Sequence, residues 1–419
     1  MMASLAGDPA VATWAVAALA TGGVLFRPWR LPEAVWAMLG AALLVAAGLL
    51  PWAAALRAMA RGLDVYLFLT GMMLLAEVAR REGLFDWLAG FAVRHAQGSA
   101  RRLFLLIYAV GTLVTTILSN DATAVVLTPA VFAAAHAAEA EPLPYLFVCA
   151  FIANAASFVL PISNPANLVL YGNHMPPLAA WLGRFALPSV LSVVATYAAI
   201  VWLERGHLRQ PVARDIPHRD LPAGARVAAI GIGATAVLLL AASAADRPLG
   251  PPTAAAGVIT AAAVLIRQRE APWALLGGIS WAVLPLVAGL FVLVAGLERT
   301  GLLAWFGALL QQGGAAASAW AGGIGIAVVS NGVNNLPAGL IAGQTVTKVA
   351  VPQTVTDALL IGVDLGPNLS VTGSLATILW LTALRREGLE VSFGRFLLRG
   401  AVVMPPALLL ALGARLLIG

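Results

Sequence analysis

Apolar runs of about 16 to 25 residues recur along the whole of this 419-residue chain, separated by polar stretches too short to form soluble domains. Lipid offers no water to a bare N–H or C=O, so each run must close its hydrogen bonds within a helix or around a closed barrel. The alternating ten-residue strands of a barrel are absent, which leaves helices. Hydrophobic residues make up 61% and charged residues 11% of the chain, against roughly 45–50% and 25% in soluble domains. The opening "MMASLAGDPAVATWAVAALATGGVLF" has no basic region ahead of its apolar run, so it reads as a first span rather than a removable signal peptide.

Full spans are predicted at 10–27, 33–50, 62–79, 142–171 and 178–203. After the polar linker "ERGHLRQPVARDIPHRDLPAGAR", five more follow at 226–245, 253–266, 274–297, 356–384 and 396–417. The two sets look like copies. "FRPWRLPEA" echoes "DRPLGPPTA", "REGLFDW" echoes "ERTGLLAW", and Asn120 aligns with Asn335. An odd number of spans turns the second copy upside down. The expected fold is therefore an all-α polytopic membrane protein of two inverted-topology repeats, 1–205 and 226–419, joined by a linker at 206–225.

Charge tests this independently. The net charge of +6 comes from 24 Arg and a single Lys, Lys348, dispersed over loops rather than gathered into a nucleic-acid patch. Arg205, Arg209, Arg214, Arg219 and Arg226 put the linker in the cytoplasm by the positive-inside rule. Counting spans from there sets both termini outside, and Arg27, Arg30, the stretch from Arg80 to Arg102, Arg267, Arg269, Arg385 and Arg386 inside. Arg57 and Arg61 fit if "WAAALRAMAR" lies along the interface as an amphipathic helix.

Two interruptions break the apolar pattern, "LSNDATAVVLTP" at 118–129 and "VSNGVNNLPAGL" at 329–340. The arms around the first, 103–118 and 122–137, reach roughly 24 Å each as helix, short of a hydrocarbon core near 30 Å. Each interruption is thus expected to be the tip of a re-entrant hairpin, at about 101–138 and 315–349, with Asp121 and Asn335 as N-caps of the returning arms and Pro337 in a first turn. A second break follows in each copy. "FIANAASFVLPISNPANLVLYG" sets Asn154, Ser157, Ser163, Asn164 and Asn167 around Pro161 and Pro165. "IGVDLGPNLSVTGSLATILW" sets Asp364, Asn368, Ser370, Thr372 and Ser374 around Pro367. Paired interruptions at corresponding positions point to a transporter's central site, because unwound backbone survives at membrane depth only where it lines a cavity. Ser119, Asn120, Asn154, Ser163, Asn164, Asn167, Asn334, Asn335, Asn368, Thr372 and Ser374 are the candidate substrate ligands. The alternative for each is a helix-to-helix hydrogen bond.

An ionisable group at a helix centre costs about 2.5–3.5 kcal/mol, so each one needs a reason. Asp121 and Asp364 are the candidate proton-coupling groups; the alternatives are a cap and a partner for freed N–H groups. Glu77 beside Arg80 and Arg81, and Glu298 beside Arg299, read as surface ion pairs, and Lys348 as an interfacial anchor. Cys149, the lone cysteine, excludes a disulfide framework, and His95, His136, His174, His207 and His218 show no metal-ligand spacing. No cofactor is expected, and no phosphate-binding loop for ATP is present.

At "LSNDATAVVLTPAV", "ISNPANLVLYG" and "VSNGVNNLPAGL" the sequence resembles the arsenite efflux permeases, the arsenical pump membrane protein family, within the ion transporter superfamily. The resemblance implies a bacterial inner-membrane carrier that exports the neutral metalloid arsenite, and antimonite, in exchange for protons or together with a cytoplasmic arsenite-stimulated ATPase. It also implies a scaffold and a moving part that holds both hairpins. Related dicarboxylate carriers have Ser-Asn-Thr at both tips; here the tips read Ser119-Asn120-Asp121 and Asn334-Asn335-Leu336. A sodium/proton antiporter and a dicarboxylate or citrate carrier of the same superfamily are the competing readings.

Overall fold

The computed structural model describes residues 8–172, 175–213 and 220–419. His174, Arg214, His218 and Arg219 lie outside the described residues. Helices account for the architecture, and the isolated antiparallel bridge Ser99–Pro211 is the extended pairing among the described residues.

In the first half α1 (Pro9–Phe26) and α2 (Glu33–Ala46) are followed by short α3 (Trp52–Arg61) and long α4 (Leu63–Arg81). Then come α5 (Leu84–Ala96) and a hairpin whose rising arm is α6 (Ala100–Ile117). Its returning arm joins α7 (Asn120–Ala122), a π turn over Thr123–Leu127, and α8 (Thr128–Ala137). A broken pair, α9 (Pro142–Ala155) and α10 (Pro165–Tyr171), leads into α11 (Leu178–Glu204). The second half repeats the order. It runs through α12 (Ala223–Ala244), α13 (Gly250–Gln268), short α14 (Trp273–Gly278), α15 (Val283–Glu298) and α16 (Leu302–Leu310). The hairpin α17 (Ala315–Val333) and α18 (Asn335–Lys348) follows, then the broken pair α19 (Gln353–Leu365) and α20 (Leu375–Arg386), and finally α21 (Phe393–Ile418). Seven of the described helices are long and apolar enough to cross a bilayer, nine when each of two bent pairs counts as one span; α6, whose stretch was expected to fall short of the hydrocarbon core, is among the seven, as is its counterpart α17.

The corresponding helices α11 and α21 run in opposite directions. Arg184 near the start of α11 lies 4.0 Å from Asp357, which also pairs at 2.7 Å with Arg415 near the end of α21. Arg399 near the start of α21 pairs at 3.0 Å with Glu204 at the end of α11. α11 and α21 are therefore antiparallel, as inversion requires.

The amphipathic segment expected at the interface is α3, bent 47° from α4. Two expectations on span boundaries need correction. The run 274–297 is not one helix: Gly277 and Gly278 end α14, Ile279 is extended, and α15 begins at Val283, so the second half has its own counterpart of α3. α5 and α16 are helices in stretches to which no span was assigned, and α16 turns 79° away from α15 because Gly301 between them sits at φ 86°.

Packing divides the helices into two bodies. In one, α4 crosses α13 and α2 crosses α15, with α1 and α12 alongside. The α4–α13 crossing is backbone against backbone: a Cβ on Gly257 would stand 2.6 Å from the Gly71 carbonyl oxygen. Small residues at such a crossing let dispersion contacts and Cα–H contacts replace the hydrophobic drive that lipid removes. In the other body α17 packs on α19, α11 on α21, α6 on α9 and α10 on α18. Here too a glycine sets the distance, since a Cβ on Gly362 of α19 would lie 2.2 Å from the Gly323 carbonyl of α17. Both hairpins and both broken helices belong to this second body.

Candidate functional site

Four helices begin in the interior of the second body: α7, α10, α18 and α20. Each start is capped by a residue singled out in the sequence. Ser119 Oγ accepts from the Ala122 N–H at 3.2 Å, Asn164 Oδ1 from Ala166 at 3.0 Å, Asn334 Oδ1 from Leu336 at 3.3 Å and Ser374 Oγ from Thr377 at 3.1 Å. The expected caps Asp121 and Asn335 are thus displaced. The helix register starts one or two residues earlier, so Asn335 is the first residue of α18 and Asp121 lies within α7. A cap must keep non-helical backbone while its oxygen reaches back to the second or third N–H, and Ser119 and Asn334 do this. Pro337 does fall in the first turn of α18.

The starts are brought together by α10 and α20. A Cβ on Gly339 would lie 3.7 Å from the Ala166 carbonyl, and one on Gly343 2.3 Å from that of Leu170, so α18 and α10 run side by side from their N-termini. Ser163, just before α10, donates to the Thr116 carbonyl of the first hairpin at 2.9 Å. α20 contacts α7 at one hairpin tip, and Gly373, two residues before α20, accepts from the Asn335 N–H of the other at 2.8 Å. At α10 and α18 the first N–H groups are already taken, by Asn164, Asn334 and Gly373, so what the four starts share is the positive end of a helix dipole, which makes the region between them electropositive without a formal charge.

The two breaks are also bonded to each other. Asn154 Nδ2 donates to Asn368 Oδ1 at 3.0 Å, Asn368 Nδ2 to the Phe151 carbonyl at 3.0 Å, and Asn164 Nδ2 to Asp364 Oδ1 at 2.8 Å. Asn167 Nδ2 reaches the freed carbonyls of Ser157 at 2.9 Å and Pro161 at 3.3 Å. Within the second repeat Thr372 Oγ1 donates to the Asn331 carbonyl at 2.7 Å, while Asn334 Nδ2 reaches the Thr372 carbonyl at 3.4 Å. Asn154, Asn164, Asn167, Asp364 and Asn368 are all buried. Many of these side chains thus make the helix-to-helix bonds of the bland reading. Three acceptors nevertheless remain buried with no protein partner: Asn154 Oδ1, Asn167 Oδ1 and Asp364 Oδ2. A buried oxygen without a donor costs about 1–3 kcal/mol, and a ligand O–H or a proton relieves it.

Asp121 is placed differently from Asp364. It is half-buried, and with Ser119, Ala122 and Pro165 it lines a cleft of about 540 Å³. The opposite wall is α4 from Phe68 to Arg80 together with the Gly277–Val283 turn, and Arg386 of α20 and Glu387 just after it stand on the same cleft. Glu77 in that wall is paired with Arg80 at 2.6 Å as expected, yet its side chain is only 6% exposed, so it is a buried acid rather than a surface one. Glu298 pairs with Lys348, and weakly with Arg61 at 3.9 Å, in place of the expected Arg299; Lys348 is thereby an ion-pair partner and not merely an anchor.

Two groups escaped the sequence reading. Asn331, inside the quoted "VSNGVNNLPAGL", binds the Gly366 carbonyl at 3.0 Å and accepts from Ser370 at 2.7 Å, tying the second hairpin to its break. Asp357 is fully buried between Arg415, Tyr171 at 2.5 Å and Gln353 at 2.8 Å. The signal for it was an ionisable residue in an apolar run at both 357 and 415, the criterion that selected Asp121 and Asp364.

Comparison with known proteins agrees with this architecture. Residues 16–384 match the family model described as citrate transporter. The chain is 28% identical over 349 residues to an arsenical pump membrane protein of Yersinia enterocolitica, covering 79% of this chain and 81% of that one. It is 29% identical over 350 residues to one of Escherichia coli, with the same coverage. In fold it is similar to the YdaH transporter of Alcanivorax borkumensis, whose topology is described as unusual, with a TM-score of 0.53 and 17% identity over 87% of this chain and 86% of that one. With its broken helices, its paired hairpins and a family match that spans most of its length, this chain is a multi-pass membrane transporter that belongs to the citrate transporter family and has arsenical pump membrane proteins among its relatives.

Proposed function

We propose that this transporter exports arsenite, as As(OH)3, and antimonite across the bacterial inner membrane in exchange for protons. The observation that carries the reading is the pairing of three donor-less buried oxygens, on Asn154, Asn167 and Asp364, with four inward-facing helix starts. Arsenous acid is a neutral trihydroxide near neutral pH. Its O–H groups suit the free acceptors, and its oxygen lone pairs suit the positive dipole ends of the helices that start beside Ser119, Asn164, Asn334 and Ser374. Asn120, Ser163, Asn335, Asn368 and Thr372 complete the polar lining in this reading. The relatives named as arsenical pumps support the cargo.

Coupling is assigned to Asp121 and Asp364. Asp121 faces a cleft and exchanges protons with the aqueous side; Asp364, with one oxygen bonded to Asn164 and one free, releases its proton as cargo enters. The repeats span 1–205 and 226–419, the linker between them is cytoplasmic, and both termini are outside. A cytoplasmic arsenite-stimulated ATPase is a compatible partner at the Arg-rich face.

A second reading is favoured by the same helix starts, which attract anions, and by the family description. It makes the cargo citrate or another dicarboxylate. The absence of any Arg from the two breaks argues against it. Everted vesicles with an imposed pH gradient separate the two: arsenite accumulation is expected, and uptake of citrate or sodium with no arsenite uptake overturns the proposal.

A further inference from the structure

Beside an apolar groove of about 970 Å³ that α1 and α15 make with α16, α17 and α18, two clefts between the bodies are built from corresponding elements of the repeats, and the two are unequal. The cleft of about 540 Å³ between α4, the first hairpin and α20 reaches the hairpin tip at Ser119 and Asp121. Its counterpart between α15, the second hairpin and α10 is about 280 Å³ and stops at the returning arm, at Leu340, Gly343 and Gln344, short of Asn334 and Asn335. Packing explains the difference. On the smaller side α10 rests on α4 and α18 rests on α15, whereas on the larger side α20 with α15 and the first hairpin with α4 make only slight contact. The moving body is pressed against the scaffold at one face and parted from it at the other. By the Arg distribution the parted face, with Arg80 and Arg386 on it, is cytoplasmic.

One ion pair sits at the closed face. Glu298, at the end of α15, holds Lys348, at the end of the second hairpin, with Arg61 at 3.9 Å from the same carboxylate. Of the ion pairs named so far it alone joins the two bodies. Arg80–Glu77 lies within α4, and Arg399–Glu204 and the Asp357 cluster lie within the other body. In the first repeat the position that corresponds to Glu298 is Arg80, and with Glu77 of its own helix as partner it holds nothing across the open cleft.

We propose that Lys348 and Glu298 form the outer gate of the carrier, a latch that holds the cytoplasm-open state and must break for the cleft at Gln344 to open. The inference rests on the carrier reading but not on the identity of the cargo. A partly exposed pair of this kind is worth a few tenths to 1 kcal/mol, so its loss shifts the balance of the two states by about two- to fivefold.

The test reads exposure rather than transport, so its failure is distinct from a wrong cargo. The native thiol Cys149 is fully buried and gives a silent background. Val125→Cys reports on the inner cleft and Gln344→Cys on the outer, each labelled by a membrane-impermeant maleimide in membranes of defined orientation. Adding Lys348→Met, or separately Glu298→Gln, is expected to raise the ratio of the labelling rate at 344 to that at 125 by about two- to fivefold, while Lys348→Arg restores the original ratio. An unchanged ratio in either folded variant, checked by its melting temperature in detergent, overturns the latch. So does a raised ratio that Lys348→Arg fails to reverse.

Discussion

Asn334 holds the least ordinary backbone in the site. Its φ of 75° and ψ of 153° fall in a region that side chains avoid, at a cost of about 1–3 kcal/mol. Its counterpart Ser119 is simply extended. The second tip is held by the Asn334 bonds to Leu336 and Thr372 and by the Asn335 to Gly373 bond. Asn334→Gly should therefore match or exceed wild-type thermal stability, because glycine relieves the strain and caps almost as well, whereas Asn334→Ala keeps the strain, loses the cap and should cost about 1–2 kcal/mol. A Gly variant less stable than the Ala variant in a detergent melt would show that the tip is not strained. The two deeper acids should behave differently from each other. Asp357→Ala leaves the Arg415 guanidinium buried without its carboxylate, a loss of about 3–5 kcal/mol that should appear as poor insertion or a low melting temperature. Asp364→Asn has no cation to orphan; it should insert normally and abolish pH-gradient-driven export in vesicles.

At the scale of elements, the half-helices are short because their partners are. α9 and α10 together replace one span, and α10 can begin inside the protein only because Asn164 caps it and Asn167 collects the carbonyls left by the break. The scaffold obeys a different rule, that of close backbone approach. Gly257→Leu should block the α4–α13 crossing and lower stability by well over about 1–3 kcal/mol, since backbone cannot shift as a side chain does. Gly233→Leu on α12, with nothing within 4 Å, should be neutral. Equal melting temperatures for the two would deny the crossing its role.

At the scale of the whole molecule the prediction concerns relative motion. Val65 of α4 and Leu168 of α10 lie on the same small cleft from opposite bodies. A disulfide between Val65→Cys and Leu168→Cys should stop transport under oxidant and release it on reduction; full transport in the oxidised form would mean that the bodies do not separate there. That the chain is helical and buried in lipid, where its polar breaks fall, and that they come in two matched sets can be read from the residues alone, because a bilayer forces every unpaired backbone group to announce itself with Asn, Ser, Gly or Pro. Ser119, Asn164, Asn334 and Ser374 were legible for that reason. Which of them cap, that Asn154 and Asn164 reach across to Asn368 and Asp364, that Asp357 meets Arg415, and that Glu298 holds Lys348 rather than shielding Arg299 follow from the packing of the folded chain. Those partners lie far apart along the chain, so no local period or turn signal links them, and which cleft stands open is set by how two bodies rest on each other.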